Sequence, residues 1–304
     1  MKIFVDFSFI YAPRLNYHFF MRFLALLLIA AALPAVSADR PEWSRLTTPH
    51  FELYTTAGEK KGREAILYFE QVRSFFNQAA PLGNNASEFP VRIIVFRSEK
   101  QYRPYSASSV AFAYYTASRT RDYIVLQDAE AEHFPAAIHE YMHLMAHRAG
   151  FNFPVWLNEG WADLYSTLKP MGKKSMIGDL IPGHVQTLAR EKWLDLETLT
   201  SVNQRSPEYN EKNRVGIFYA ESWALVHMLY LAPDYQTKFN AFVNAILRGQ
   251  SVAEACQTAY GRSSAQIYKR SASVPEAQPA LRDGVPGHAD KVGGRGGNGG
   301  RSGV

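Results

Sequence analysis

The sequence is poor in cysteine and in net charge, and it has no apolar run of the roughly 20 residues that a membrane-spanning helix needs. Cys256 is the only cysteine among 304 residues, which excludes an intramolecular disulfide. The formal charge of +5 is too small to indicate nucleic-acid binding, and there is no glycine-rich phosphate loop of the Walker type. With 47% hydrophobic and 20% charged residues, the chain has the composition of a globular protein that is stabilised by packing.

The most apolar stretch lies near the N-terminus, where residues 23–36 read FLALLLIAAALPAV. Met21 and the basic Arg22 precede it, and small residues end it at 36–38. These are the three parts of a secretory signal, whose apolar run is typically about a dozen residues. We therefore expect residues 1–38 to be an N-terminal extension and signal peptide starting at Met21, and the protein to be exported, periplasmic or secreted, from a bacterium. An uncleaved N-terminal anchor is the alternative; after signal removal we expect no stable membrane span.

The hydrophobic pattern changes along the chain. Apolar or alternating β-rich runs lie in the first half, at 51–56, 91–96, 111–116 and 123–127, with a helical pattern at 65–79. Helical patterns dominate the second half, at 136–148, 155–168, 217–231 and 235–248. The sequence predicts an α+β fold, with a mixed β-sheet and helices at 39–134 followed by a mainly α-helical part at 135–270.

Two segments carry weaker signals. The stretch 169–213 is rich in glycine, proline and charge, which favours a long connection with short helices over a cleft. The end of the chain, 271–304, becomes rich in glycine and has few apolar residues, so we expect a disordered tail.

The strongest motif is HEYMH at 139–143, within one of the predicted helices. Positions i and i+4 of a helix lie on one face, so His139 and His143 can bind a single Zn²⁺ ion at roughly 2.0–2.1 Å. Glu140 is rotated by about 100° and can instead take a proton from a water at the open position of the ion. This arrangement is typical of a metallohydrolase.

The next predicted helix supplies a third ligand. Its sequence VWLNEGWAD at 155–163 places Glu159 and Asp163 one turn apart. Helices joined by a short loop pack together, so Glu159 can complete a His2Glu set and leave the fourth position of the zinc to water. Asp163 is then placed to accept a hydrogen bond from the second ring nitrogen of a ligand histidine.

Simpler explanations exist for both helices. On the HExxH motif alone, a surface helix with solvated histidines is the alternative, and for the second helix it is an exposed acidic face. The apolar Trp156, Leu157 and Trp161 favour burial of the second helix, where unpaired carboxylates would be costly.

Two other ligand schemes are excluded. His147 lies about 12 Å along the helix from His139, too far to share its ion. A three-histidine metzincin site would need glycine and histidine where the sequence has Ala146 and Ala149.

These motifs resemble those of the gluzincin metallopeptidases, the thermolysin-like and aminopeptidase-like group, and in particular bacterial peptidases with a Leu-x-Glu-Gly motif after HExxH. The resemblance covers roughly 51–261 and is most specific at 139–143 and 154–165. It implies a zincin-like fold.

The resemblance also implies roles for individual residues. His139, His143 and Glu159 become the zinc ligands, Glu140 the catalytic base, and Asp163 the hydrogen-bond partner of a ligand. The resemblance implies two further features: Tyr219, preferred over His227, would stabilise the transition state, and an edge strand at 123–127 would pair with an extended peptide.

The sequence thus predicts an exported zinc metallopeptidase acting on a peptide or protein substrate, without nucleic acid. A catalytically silent zincin-fold binding module of the cell envelope and a zinc hydrolase of non-peptide amide bonds are the alternatives. Nothing in the sequence indicates the cleavage specificity or the oligomeric state.

Overall fold

The structure, a computed structural model, describes residues 41–79, 90–106, 111–118, 120–171, 174–272, 280–283 and 293–294. The predicted N-terminal extension and signal peptide, 1–38, lies outside these residues, as does most of the predicted tail. In the part of the chain that is described, no helix combines the length and the apolar character needed to cross a bilayer.

The first half of the chain forms most of the strands. They are β1 (Ser44–Thr47), β2 (Phe51–Thr55), β3 (Val91–Val95), β4 (Ala113–Ala117), β5 (Asp122–Leu126), β6 (Lys169–Met171), β7 (Lys174–Ile177), β8 (Ala280–Asp283) and β9 (Gly293–Gly294).

Helices dominate the second half. The helices are α1 (Glu59–Ala79), α2 (Glu99–Tyr102), α3 (Phe134–Arg148), α4 (Val155–Ser166), α5 (Pro182–Arg190), α6 (Leu196–Ser201), α7 (Pro207–Asn210), α8 (Val215–Leu231), α9 (Pro233–Gln236), α10 (Phe239–Leu247), α11 (Val252–Tyr260) and α12 (Ser264–Ser271). The prediction of an α+β fold, with an N-terminal mixed sheet followed by a mainly helical part, is confirmed.

The main sheet has the strand order β4-β5-β3-β2-β1-β9. Strands β2, β3 and β5 are parallel, whereas β4 and β1 pair antiparallel with their neighbours. The prediction that 123–127 forms an edge strand is therefore wrong, since β5 lies between β4 and β3, and β4 is at the edge. The sequence of β5 carries the reason: Ile124, Val125 and Leu126 are all buried, as in a strand covered on both faces.

One face of the main sheet carries the core. Alternate residues such as Phe51 and Leu53 in β2 point to this face and are fully buried. Tyr141 of α3 packs edge-on against Phe76 of α1, with ring centroids 5.4 Å apart, and lies 5.9 Å from Phe51. Burying each such side chain contributes about 1.5–3 kcal/mol. This apolar face of α3 fixes the helix on the sheet and leaves its histidines on another face.

Some helix bounds differ from the sequence prediction. Helix α1 begins at Glu59, about one and a half turns before the start that the apolar pattern indicated. The pattern missed these first turns because they are polar and largely exposed. The helix predicted at 235–248 is divided into α9 and α10 by Thr237 and Lys238. The segment predicted as a connection with short helices holds the β6–β7 hairpin as well as α5, α6 and α7.

Candidate metal centre

Helix α3 presents two histidines side by side. Tyr141 and Met142 of this helix are buried in the core, and Pro135 occupies its first turn, where a missing N–H costs nothing. His139 Nε2 and His143 Nε2 consequently lie 3.0 Å apart, with their rings nearly perpendicular.

Helix α4 brings a carboxylate to the same point. Its Trp156, Leu157 and Trp161 are fully buried, so the helix lies deep between α3 and α8. Glu159 Oε2 lies 3.2 Å from His139 Nε2 and 3.4 Å from His143 Nε2. Within the described residues, these three side chains form the one group of histidine, cysteine or acidic residues that could hold a metal ion.

The spacing of the three donor atoms fits zinc. Ligands at 2.0–2.1 Å from a tetrahedral zinc ion are about 3.3 Å from one another, and the separations here are 3.0, 3.2 and 3.4 Å. Glu159 Oε2 is buried and faces only the two imidazole nitrogens, with no well-aligned hydrogen bond from the described residues. Two imidazoles and one carboxylate are also the donor set of a catalytic zinc site with one open position. The residues present therefore fit a metal ion.

Asp163 lies one turn beyond Glu159 and contacts two histidines. Its Oδ1 is 2.8 Å from His139 Nδ1, and its Oδ2 is 2.8 Å from His184 Nε2 in the first turn of α5. The contact between Asp163 and His139 Nδ1 fixes the ring orientation of His139 and leaves its Nε2 facing Glu159, as a ligand histidine requires.

The charges at the centre favour ionised carboxylates. Burial alone would raise the pKa of Glu159, but the adjacent imidazoles of His139 and His143 outweigh it and hold the pKa well below the usual range. The pKa of Asp163 is likewise lowered, because His139 and His184 offset its burial. In the metal-free protein the two carboxylates in turn hold the pKa of His139 well above its ordinary value, although burial opposes this. A cation is the complement of this arrangement.

Glu140 lies outside the ligand group and faces the edge of the sheet. Its Oε2 accepts a hydrogen bond from the backbone N–H of Tyr115 in β4 at 2.9 Å. Its other oxygen, Oε1, makes no hydrogen bond within the part of the chain that is described. The carboxylate is thus anchored at one oxygen, with the second available to a reactant.

Two tyrosines pack beside the ligands. The ring of Tyr219 in α8 lies 6.4 Å from that of His139 and stacks on the ring of Tyr209 in α7. Tyr209 donates to Glu159 Oε1 at 3.1 Å and stacks on Tyr219 with centroids 6.2 Å apart. Burial, together with the Glu159 charge, raises the pKa of Tyr219 and raises that of Tyr209 to about 12, so both phenols are neutral donors at pH 7.

The other histidines considered from the sequence lie elsewhere. His147 is exposed, and its Nδ1 is 3.3 Å from Tyr115 Oη. His227 is fully buried, with Nε2 2.8 Å from the carbonyl oxygen of Gly178, and burial lowers its pKa. Neither is in the ligand group.

The structure brings together all six residues that the sequence predicted for the site: His139, Glu140, His143, Glu159, Asp163 and Tyr219. Sequence reasoning missed Tyr209, His184 and the backbone N–H of Tyr115. Tyr209 and His184 lie in the segment 169–213, where no periodic pattern ties them to the motif helices.

The chain matches no protein-family model and no curated protein sequence. We therefore infer its function from the geometry of this site.

Proposed function

We propose that the protein is an exported zinc-dependent metallopeptidase with a zincin-like fold, similar to the gluzincins. The observation that carries this proposal is the triangle of donor atoms on His139, His143 and Glu159, which has the dimensions of a tetrahedral zinc site and has Glu140 beside it. A bound zinc ion would polarise a substrate carbonyl and lower the pKa of its water toward about 7.

Glu140 supplies the proton transfer. The N–H of Tyr115 holds Oε2, which leaves Oε1 to accept a proton from the attacking water and to pass it to the leaving nitrogen. General acid–base groups of this kind contribute typically about 10²–10⁴-fold to the rate. Tyr219, as a neutral phenol, remains the predicted donor to the developing oxyanion.

The edge strand supports a peptide substrate. Phe112 accepts a hydrogen bond from Gln127 N, and Ser118 N donates to Arg121, so alternate residues of the strand pair with β5. The residues between them, Ala113, Tyr115 and Ala117, direct their backbone groups away from β5, toward the edge that no described strand covers. An extended peptide can add to such an edge as a further strand through the backbone groups of Ala113 and Ala117. Because Tyr115 N–H holds Glu140 at the same edge, the peptide would lie beside that carboxylate.

The decisive experiment compares the wild-type protein with Glu140→Gln. Glutamine preserves the shape and can still accept from Tyr115 N–H, but it cannot take a proton. We expect zinc to be retained at the wild-type level and hydrolysis of a quenched decapeptide library to fall by at least about 100-fold. Glu132→Gln, at an exposed position just before α3, is the matched control and should hydrolyse the library like the wild type.

Each alternative predicts a different result. Zinc binding without hydrolysis of peptides, amides or esters by the wild-type protein would favour a binding module. Turnover of small non-peptide amides, with the decapeptides left intact, would favour an amidase. Equal activity of Glu140→Gln and wild type would contradict the proposed role of Glu140.

A further inference from the structure

The two carboxylate oxygens of Glu159 contact different groups, and so do those of Asp163. Glu159 Oε2 faces the imidazoles, whereas Oε1 accepts the hydroxyl hydrogen of Tyr209 at 3.1 Å. Asp163 Oδ1 faces His139, whereas Oδ2 contacts His184 at 2.8 Å. The two outer partners come from α7 and α5, which lie in the chain between the β6–β7 hairpin and α8.

We propose that Tyr209 and His184 are positioning residues of the metal centre: Tyr209 keeps Glu159 a one-oxygen ligand, and His184 keeps Asp163 turned toward His139. The coordination and affinity of the centre then depend on the segment 182–210 as well as on the ligands. This inference rests on the proposed metal centre, and it assigns the segment a role that the HExxH and NEGWAD motifs do not contain.

The Tyr209 hydroxyl and a metal ion would compete for Glu159 Oε1. A carboxylate can bind a metal through one oxygen or through both, and two-oxygen binding by Glu159 would require Oε1 to give up the Tyr209 hydroxyl. The Tyr209 ring is held in place by Tyr219, stacked 6.2 Å away, and by Phe218, edge-on at 6.0 Å. The hydroxyl therefore has little freedom to leave, and the fourth position of the ion stays open.

His184 orients the buried carboxylate of Asp163. Asp163 is buried, and without a partner for Oδ2 its carboxylate would turn or take in water to satisfy that oxygen. His184 is held at the start of α5, with its ring 5.6 Å from that of the buried Trp223. It completes a chain His184–Asp163–His139, in which Asp163 is the direct partner of the histidine. Such partners typically contribute about 10–100-fold to metal affinity, and His184 acts through Asp163.

His184 is tested through zinc affinity. The dissociation constant is measured by competition with a chromophoric chelator for the wild type, His184→Leu and His184→Gln. Leucine has no donor, and we expect about 10–100-fold weaker binding, whereas glutamine places its Nε2 near the position of His184 Nε2 and should restore affinity to within a few-fold. His50→Gln, at the partly exposed His50–Glu70 contact, is the matched control. The melting temperature in excess chelator shows whether each metal-free variant is folded.

Tyr209 is tested through coordination. With Co²⁺ as the probe, four-coordinate centres absorb visible light more strongly than five-coordinate ones. Tyr209→Phe keeps the stacked ring and removes only the hydroxyl, so we expect weaker visible bands in the variant than in the wild type. The control Tyr105→Phe, at an exposed ring that stacks on Phe96, should leave the spectrum unchanged.

The outcomes separate this inference from the proposed function. The role of His184 would be overturned by a zinc affinity of His184→Leu within twofold of wild type. It would also be overturned if His184→Gln bound zinc as weakly as His184→Leu. An unchanged cobalt spectrum in Tyr209→Phe would overturn that of Tyr209. If the wild-type protein bound neither zinc nor cobalt, the proposed function itself would fail.

Discussion

Gly160 of α4 lies directly against the backbone of Ser222 in α8: a β-carbon built on Gly160 would be 2.2 Å from the carbonyl oxygen of Ser222. Real β-carbons do not approach a backbone oxygen so closely, and only glycine permits the two helices to pack at this distance. Gly160 follows Glu159 of the candidate metal centre, and Ser222 lies one turn after Tyr219. The contact therefore sets the distance between the ligand helix and the helix that carries Tyr219.

Substitution of Gly160 by alanine should therefore destabilise the protein. We expect Gly160→Ala to lower the free energy of unfolding by at least about 1–3 kcal/mol, the usual effect of overpacking, because the obstructing atoms belong to a backbone. Urea unfolding of the metal-free protein measures this. Gly216→Ala, in α8 with open space around its β-carbon, is the matched control, and alanine there should be neutral or stabilising by up to about 1 kcal/mol. Equal stability of the two variants would mean that α4 and α8 are not packed in this way.

The helix-borne part of the site could be predicted from sequence because helical spacing is local information. His139 and His143 share a face through their i, i+4 spacing, and Glu159 follows on a helix that a short loop forces against the first. His184 and Tyr209 reach the same point through tertiary packing of short helices, α5 and α7, which leave almost no periodic signal. Propensity and periodicity cannot report which distant side chains meet at a buried carboxylate.

Asp163→Asn should weaken zinc binding without unfolding the protein. An asparagine can accept from His139 Nδ1 but carries no charge, and its amide N–H₂ would face His184 in place of an acceptor. We expect about 10–100-fold weaker zinc affinity in chelator competition. Asp195→Asn is the control, since asparagine also caps the N-terminus of α6 as Asp195 does. Wild-type affinity in Asp163→Asn would remove Asp163 from the account of the metal centre.

Glu221 should make the stability of the protein depend on pH. It is fully buried in α8, and burial raises its pKa from 4.5 to about 7. Two contacts oppose part of this rise in pKa: Leu194 N donates to Oε1 at 2.8 Å, and Oε2 lies 2.5 Å from Tyr268 Oη. The Tyr268 hydroxyl also lies 2.9 Å from the carbonyl oxygen of Leu194. When Glu221 is protonated, it can donate to Tyr268 Oη while the Tyr268 hydroxyl donates to Leu194.

Because the pKa of Glu221 is higher in the folded than in the unfolded chain, its stabilisation is fully present below about pH 4.5 and is lost as the pH rises through 7. The loss should be about 3 kcal/mol. Glu221→Gln should remove this part of the pH dependence and exceed the wild type in stability above pH 8, whereas Glu191→Gln at an exposed position should not. Denaturant unfolding from pH 4 to 9 measures both, and parallel curves for wild type and Glu221→Gln would show that the carboxyl is not protonated in the fold.

The sheet edge shows a different limit of sequence reasoning. The β-rich runs were located closely, but their order depends on pairing between strands far apart in sequence. Burial of Ile124, Val125 and Leu126 marks β5 as an interior strand, whereas four of the five residues of β4 are partly or fully exposed. The available signal for the edge was the continuous apolar run in β5 beside the less buried β4.

The most direct measurement is the metal content of the purified protein by elemental analysis, for the wild type and for His143→Ala. The account predicts about one zinc per wild-type chain and nearly none in the variant, with His147→Ala as a control that keeps its zinc because His147 lies outside the ligand group. A wild-type protein that takes up no zinc even when it is supplied, or a His143→Ala variant that holds as much as the wild type, would contradict the assignment of the metal centre to His139, His143 and Glu159.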